Sequence, residues 1–164
     1  MKNALIWFIF VALLYVVQVS FLPLISFHGI SADLLLLAVV AYAFNKGKEQ
    51  GVLFGFMLGL LQDLSSGTFF GLNIFSKMLV GYFCGSFSTR VFKEQALLPI
   101  FSTLAATAGN YIVSLIIVLL LGYRLNFVTH VQYVLIPMLW YNVIFAYPVY
   151  GLMSRMLKFM KDKK

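Results

Sequence analysis

The stretch GVLFGFMLGLLQDLSSGTFFGLN, residues 51–73, decides the fold. Gly51, Gly55 and Gly59 recur every four residues and Gly47 continues the register, so all four fall on one face of a helix. That helix is read over residues 48–63, with Asp63 at its end. SSGTFFG (65–71) carries turn chemistry, and a second apolar helix follows over 72–88. A tight helical hairpin results. In lipid, apolar burial does not drive helices together, and small residues that let backbones approach become a main source of association. Gly51, Gly55, Gly59, Gly67 and Gly71 are therefore read as helix-packing or partner-contact positions, in preference to a cavity lining.

Outward from the hairpin the same apolar character persists. Of 164 residues 62% are hydrophobic and 10% charged, against roughly 45–50% and about 25% in soluble domains. No water-soluble fold of this length hides that much apolar surface, so lipid must be the solvent for most of the chain. Helices are expected over 4–24, 31–45, 97–121 and 131–153 in addition to the hairpin, each near the roughly 17–25 residues that cross a bilayer. FHGIS (27–31) offers a turn after the first, and the run from Ala4 to Phe27 is too long for a cleaved signal, reading as a retained anchor. Pro137 and Pro148 predict kinks in the last helix. The expectation is an all-α bundle of six crossings in one domain, 1–164, with a basic tail at 154–164.

Charge gives the orientation. Lys2, Lys46, Lys48, Arg90, Lys93, Arg155, Lys158, Lys161, Lys163 and Lys164 lie on one side, ten of the twelve Lys and Arg. Arg124 lies on the other and Lys77 within a span. Cytoplasmic loops are the basic ones, so both termini are expected inside. Scattered between apolar runs, these cations do not form a nucleic-acid-binding stripe. The tail is read as fixing topology in preference to binding anionic lipid or a cytoplasmic partner.

Chemistry is sparse. HExxH, paired CxxC, GxSxG and phosphate-loop patterns are absent, so no catalytic residue, metal site or cofactor is expected. Cys84 is a lone apolar bystander, and His28 and His130, beside outer loops, are read as solvated at the interface. The ionisable groups in or near the spans are Asp33, Asp63 and Lys77, and burying each costs several kcal/mol. Asp33 is read as an N-terminal cap of its helix, with Ser31 able to assist. Asp63 and Lys77 are expected to pair across the hairpin, Lys77 snorkelling toward the outer surface. Asn110 and Asn142 need hydrogen-bond partners. Trp140, Tyr141, Tyr147 and Tyr150 are read as packing or interfacial aromatics.

Asp33 before an apolar helix, the Gly55, Gly59, Asp63, Gly67 and Gly71 series, and Asn142 with Pro148 near a basic end resemble the bacterial rod shape-determining MreD family. One departure is Ala32, where that family often has proline. The resemblance implies a non-enzymatic scaffold of the cell-elongation machinery in the bacterial cytoplasmic (inner) membrane. Its implied partners are MreC, the actin-like MreB, a RodA-type polymerase and a class B penicillin-binding transpeptidase, beside membrane lipid. In helix number and size such chains are also similar to substrate-binding subunits of energy-coupling factor vitamin transporters, which makes a solute-binding subunit the alternative. An intramembrane enzyme is the third reading, kept open by Asp33 and Asp63 near one surface.

Overall fold

The computed structural model describes residues 2–67, 69–87, 98–124 and 126–162. The chain opens with α1 (Lys2–Val16), which continues through a π-helical turn (Val17–Phe21) and a 3-10 turn (Leu22–Ile25). Then come α2 (Leu34–Lys46), α3 (Lys48–Ser66), α4 (Leu72–Phe87) and α5 (Leu98–Leu120). The last run joins α6 (Phe127–His130), a second π-helical turn (Val131–Leu135) and α7 (Ile136–Asp162). Residues 88–97, with Arg90 and Lys93, and the terminal Lys163 and Lys164 lie outside the described residues.

Both π-helical turns precede a proline. The N–H of Leu22 reaches back five residues to the Val17 carbonyl before Pro23, and that of Ile136 to the Val131 carbonyl before Pro137. Proline donates no hydrogen bond and its ring crowds the carbonyl four residues back, so a widened turn at that point relieves both problems. Pro148 lies inside α7. Where a basic tail is expected from residue 154, α7 instead remains helical to Asp162.

Three helical runs among the described residues have the length and apolarity to cross a membrane: Leu5–Ile25, Pro99–Leu120 and Phe127–Met160. The other expected crossings, α2, α3 and α4, are too short or too dilute in apolar residues to stand out as spans by length and composition alone. Glycines and polar groups dilute α3 and α4, and α2 is about 20 Å long at 1.5 Å per residue, against a hydrocarbon core of about 30 Å.

α2 is the core. Leu34 to Ala41, Ala43 and Phe44 are all buried, and α1, α3, α4, α5 and α7 pack around it. A helix apolar on every side belongs in the interior of a bundle. α1 runs against it, with Trp7 edge-on to Tyr42 at 5.3 Å and to Phe54 at 5.6 Å. The start of α1, the α2–α3 junction at Lys46–Lys48 and the end of α4 therefore share one end of the bundle. At the opposite end Phe69 meets Tyr123 and His28 meets Tyr133, joining the segments near 27–30, 67–71 and 121–133. There His28 and Gly29 both have positive φ and close a two-residue turn, with Phe27 and Ile30 exchanging backbone hydrogen bonds at 3.1 and 2.9 Å. The FHGIS turn is thus present.

The α3–α4 hairpin forms as its glycines suggest, and the geometry shows what they touch. A Cβ on Gly51 would stand 2.6 Å from the Gly81 carbonyl oxygen, and one on Gly59 2.6 Å from that of Asn73. One on Gly55 would run into the backbone of Lys77, and Gly85 faces Gly47 and Lys48 in the same way. The stripe is therefore covered by α4 of the same chain, not presented to a partner. A Cβ on Gly67 or Gly71 would meet nothing within 4 Å in this chain; their φ values of 62° and 101° make them turn residues. Gly81 and Gly85, unremarked in the sequence reading, supply the complementary stripe on α4.

Candidate functional site

Two buried polar clusters hold this bundle together, and the larger is at the start of α2. Asp33 caps that helix, its Oδ1 accepting from the Leu36 N–H at 2.9 Å. The expected cap is thus in place, supplied by the carboxylate itself. The neighbouring Leu35 N–H donates to Gln18 Oε1, from the π-helical turn after α1, at 3.0 Å. The Asp33 N–H donates to Asn142 Oδ1 of α7 at 2.8 Å, and Asn142 Nδ2 donates in turn to Thr107 Oγ1 of α5 at 2.9 Å. Because α2 starts inside the bundle, no water reaches its first N–H groups, and side chains from neighbouring helices must satisfy them.

Lys77 completes the cluster. Its Nζ lies 2.6 Å from Asp33 Oδ2, and its side chain is fully buried. This corrects the expected partnership with Asp63. On α4 the Cα–Cβ bond leans toward the helix N-terminus, so the lysine stem climbs toward the start of α4, but it stops on Asp33 instead of reaching a surface. Opposite charge satisfies the ammonium and the carboxylate together, while the positive end of α2 adds to the stabilisation of Asp33.

Asp63 has a different task. Its carboxylate, 3% exposed, accepts from the N–H groups of Gly71 at 2.8 Å, Asn73 at 3.0 Å and Ile74 at 3.1 Å, and from Asn73 Nδ2 at 2.9 Å. The residue before α4 is Gly71, which has no side chain to cap with, so α3 reaches across the turn to supply an anion at the helix start. Charge-assisted bonds of this kind are roughly twice as strong as neutral ones.

Of the polar residues singled out on the sequence, Asp33, Lys77 and Asn142 come together, Asp63 caps α4 separately, and Asn110 stands one turn beyond Thr107 on α5. Gln18 and Thr107 were missed. Gln18 had a signal, as a lone amide in a long apolar run; Thr107 looked like one more small residue in TLAATAGN. His130, expected to be solvated, is half-buried with Nδ1 2.8 Å from the Tyr111 hydroxyl. Tyr141 donates its hydroxyl to the Ile25 carbonyl, tying α7 to the end of the first span. No group of three or more His, Cys, Asp or Glu side chains suited to a metal occurs among the described residues.

A family model described as rod shape-determining protein MreD matches residues 1–160. The chain belongs to that family. No curated protein and no solved structure matches it. Membership of the MreD family places the chain in rod-shape determination, and its apolar helices make it a membrane protein. In MreD terms, the residues that carry the resemblance now have physical duties: Gly55 and Gly59 mesh α3 with α4, Asp63 caps α4, Gly67 and Gly71 turn the chain, and Asp33 with Asn142 secures α2.

Proposed function

We propose that the chain is a non-enzymatic scaffold of the bacterial cell-elongation complex, crossing the cytoplasmic membrane six times with both ends inside. The family match carries the rod-shape role. The observation that favours scaffolding is the deployment of the polar groups: Asp33, Lys77, Asn142 and Thr107 hold helices to one another, and Asp63 holds the hairpin. A body tied this way is rigid inside and apolar outside.

The orientation rests on the shared bundle end of the start of α1 and the Lys46–Lys48 junction, with Arg124 in a segment of the opposite end. With the glycine stripe covered, the partner face moves to α1. Leu5, Ile9, Leu13 and Val16 are exposed at helical spacing along it, a surface suited to the single transmembrane helix of an MreC-like partner. MreB, a RodA-type polymerase and a class B transpeptidase would join through that partner or more weakly.

Depletion in a rod-shaped host, with complementation by Leu5→Ala/Ile9→Ala/Leu13→Ala, tests this reading. Cells round on depletion, and the triple variant accumulates in the membrane yet neither restores rods nor co-purifies with MreC. Unchanged shape on depletion, or tight vitamin binding by the purified chain, would instead favour the solute-binding alternative.

A further inference from the structure

The hydrogen bond from the Asp33 N–H to Asn142 Oδ1 at 2.8 Å fixes the relative height of α2 and α7, which run toward the same end of the bundle. An equal count of residues along each helix, from 33 to 46 and from 142 to 155, brings Lys46 level with Arg155, about 20 Å beyond that tie. The bundle closes there, with Gly85 of α4 against Gly47 and Lys48. α7 nevertheless stays helical to Asp162, about 10 Å further.

These last turns have two faces. Met153 is fully buried and Leu157 packs against the core. At 3.6 residues per turn, Leu152, Arg155 and Phe159 share one outward stripe, flanked by Lys158. Arg155 and Lys158 are exposed, and Leu152 and Phe159 are 49% and 47% exposed. Lys46 and Lys48 are exposed near the same level. None of these four cations forms an ion pair among the described residues, so their charge is uncompensated within the chain. Fixing topology requires the cations alone. A helix that holds them at a set depth, with apolar side chains between them, also matches a surface that is anionic at one depth and apolar just above it. From Arg155 to Phe159 the rise is about 6 Å, the thickness of one lipid headgroup layer.

We propose that this basic end binds anionic phospholipid, with Lys46, Lys48, Arg155 and Lys158 on the headgroup phosphates, Leu152 against the acyl chains and Phe159 in the headgroup layer. The site belongs to that end of the bundle whichever way the chain is threaded.

The full chain is reconstituted into symmetric phosphatidylcholine bilayers, where threading does not matter, and probed by EPR with spin-labelled phosphatidylglycerol and phosphatidylcholine. At low salt the motionally restricted lipid should favour phosphatidylglycerol about fivefold, the effect of one cation near an anionic headgroup. At about 1 M salt, where the screening length is about 3 Å, the preference should be lost. Lys46→Gln/Lys48→Gln and Arg155→Gln/Lys158→Gln should each lower it about twofold, and the four changes together should remove it. Arg155→Lys/Lys158→Arg should keep it, as should Arg124→Gln at the opposite end. All these side chains are exposed, so an unchanged thermal midpoint separates lost lipid from lost fold. The absence of a phosphatidylglycerol preference at low salt, or one that outlasts high salt or all four changes, would overturn the proposal. So would displacement of the labelled lipid by soluble poly-glutamate at equal charge concentration, which would assign this end to an acidic protein surface.

Discussion

Replacing Lys77 by Met removes the ammonium while keeping an unbranched side chain of similar length, and it isolates the energetic role of the buried ion pair. Lys77 is fully buried and touches Asp33 at 2.6 Å, so the variant leaves a carboxylate deep in the bundle without its counter-charge. Breaking a buried pair on one side costs about 3–5 kcal/mol, a shift of roughly two to three and a half decades in the folded-to-unfolded ratio. Removing both charges is different. Asp33→Asn keeps an oxygen for the Leu36 N–H, because asparagine caps helices as well as aspartate does. The double variant Lys77→Met/Asp33→Asn should therefore recover about 2 kcal/mol or more of the single-variant loss, since neutral replacements for a buried pair are often close to neutral in stability. Reversible unfolding in mixed micelles, followed by the fluorescence of Trp7 between Tyr42 and Phe54, gives the free energies. A parallel cycle with Asp63→Ala discriminates between partners: Asp63 and Lys77 share no bonded atoms, so their effects should add within about 0.5 kcal/mol. A loss under about 1 kcal/mol for Lys77→Met, or coupling of Lys77 to Asp63 and not to Asp33, would refute the reasoning.

Three further outcomes follow from the same contacts. Gly55→Ala should cost about 2 kcal/mol or more in the unfolding assay, because its methyl meets the Lys77 backbone, whereas Gly67→Ala meets nothing and should cost about 1 kcal/mol through its positive φ alone. Asn142→Leu strips the Asp33 N–H and the Thr107 hydroxyl of partners at once; a loss of about 2–4 kcal/mol is expected, together with faster hydrogen exchange at the Asp33 amide. Asp63→Ala should speed exchange at the Gly71, Asn73 and Ile74 amides by tenfold or more, with little change at the start of α2.

The hairpin was legible in the sequence because its information is local. Four-residue glycine spacing marks a helix face, Asp63 and the following turn residues mark a helix end, and the pairing partner lies next in the chain. The partner of Lys77 was not legible. Asp33 is 44 residues away, and hydropathy assigns residues to spans without giving their depth. Depth decides here: α2 is short and starts inside the bundle, so Asp33 lies at the level that the Lys77 stem can reach, while Asp63 faces the start of α4 a full turn beyond. Gln18 and Thr107 escaped for a related reason. Even the lone amide of Gln18 acquires its role only when segments from four other parts of the bundle converge on the start of α2. The glycine stripe was read correctly as a packing surface, but periodicity alone cannot say whether the surface across it belongs to the same chain or another.

The capping of α2 also bears on how the chain is made. Synthesis delivers Asp33 early, yet the oxygen that receives its N–H belongs to Asn142, 109 residues later. Until the ribosome has produced α7, the central helix sits in the bilayer with an unanswered donor, and Lys77 arrives before the final tie is possible. In the finished chain that donor is answered inside the bundle. The start of the second helix thus depends on the last helix for a contact, and a fragment that lacks α7 lacks it.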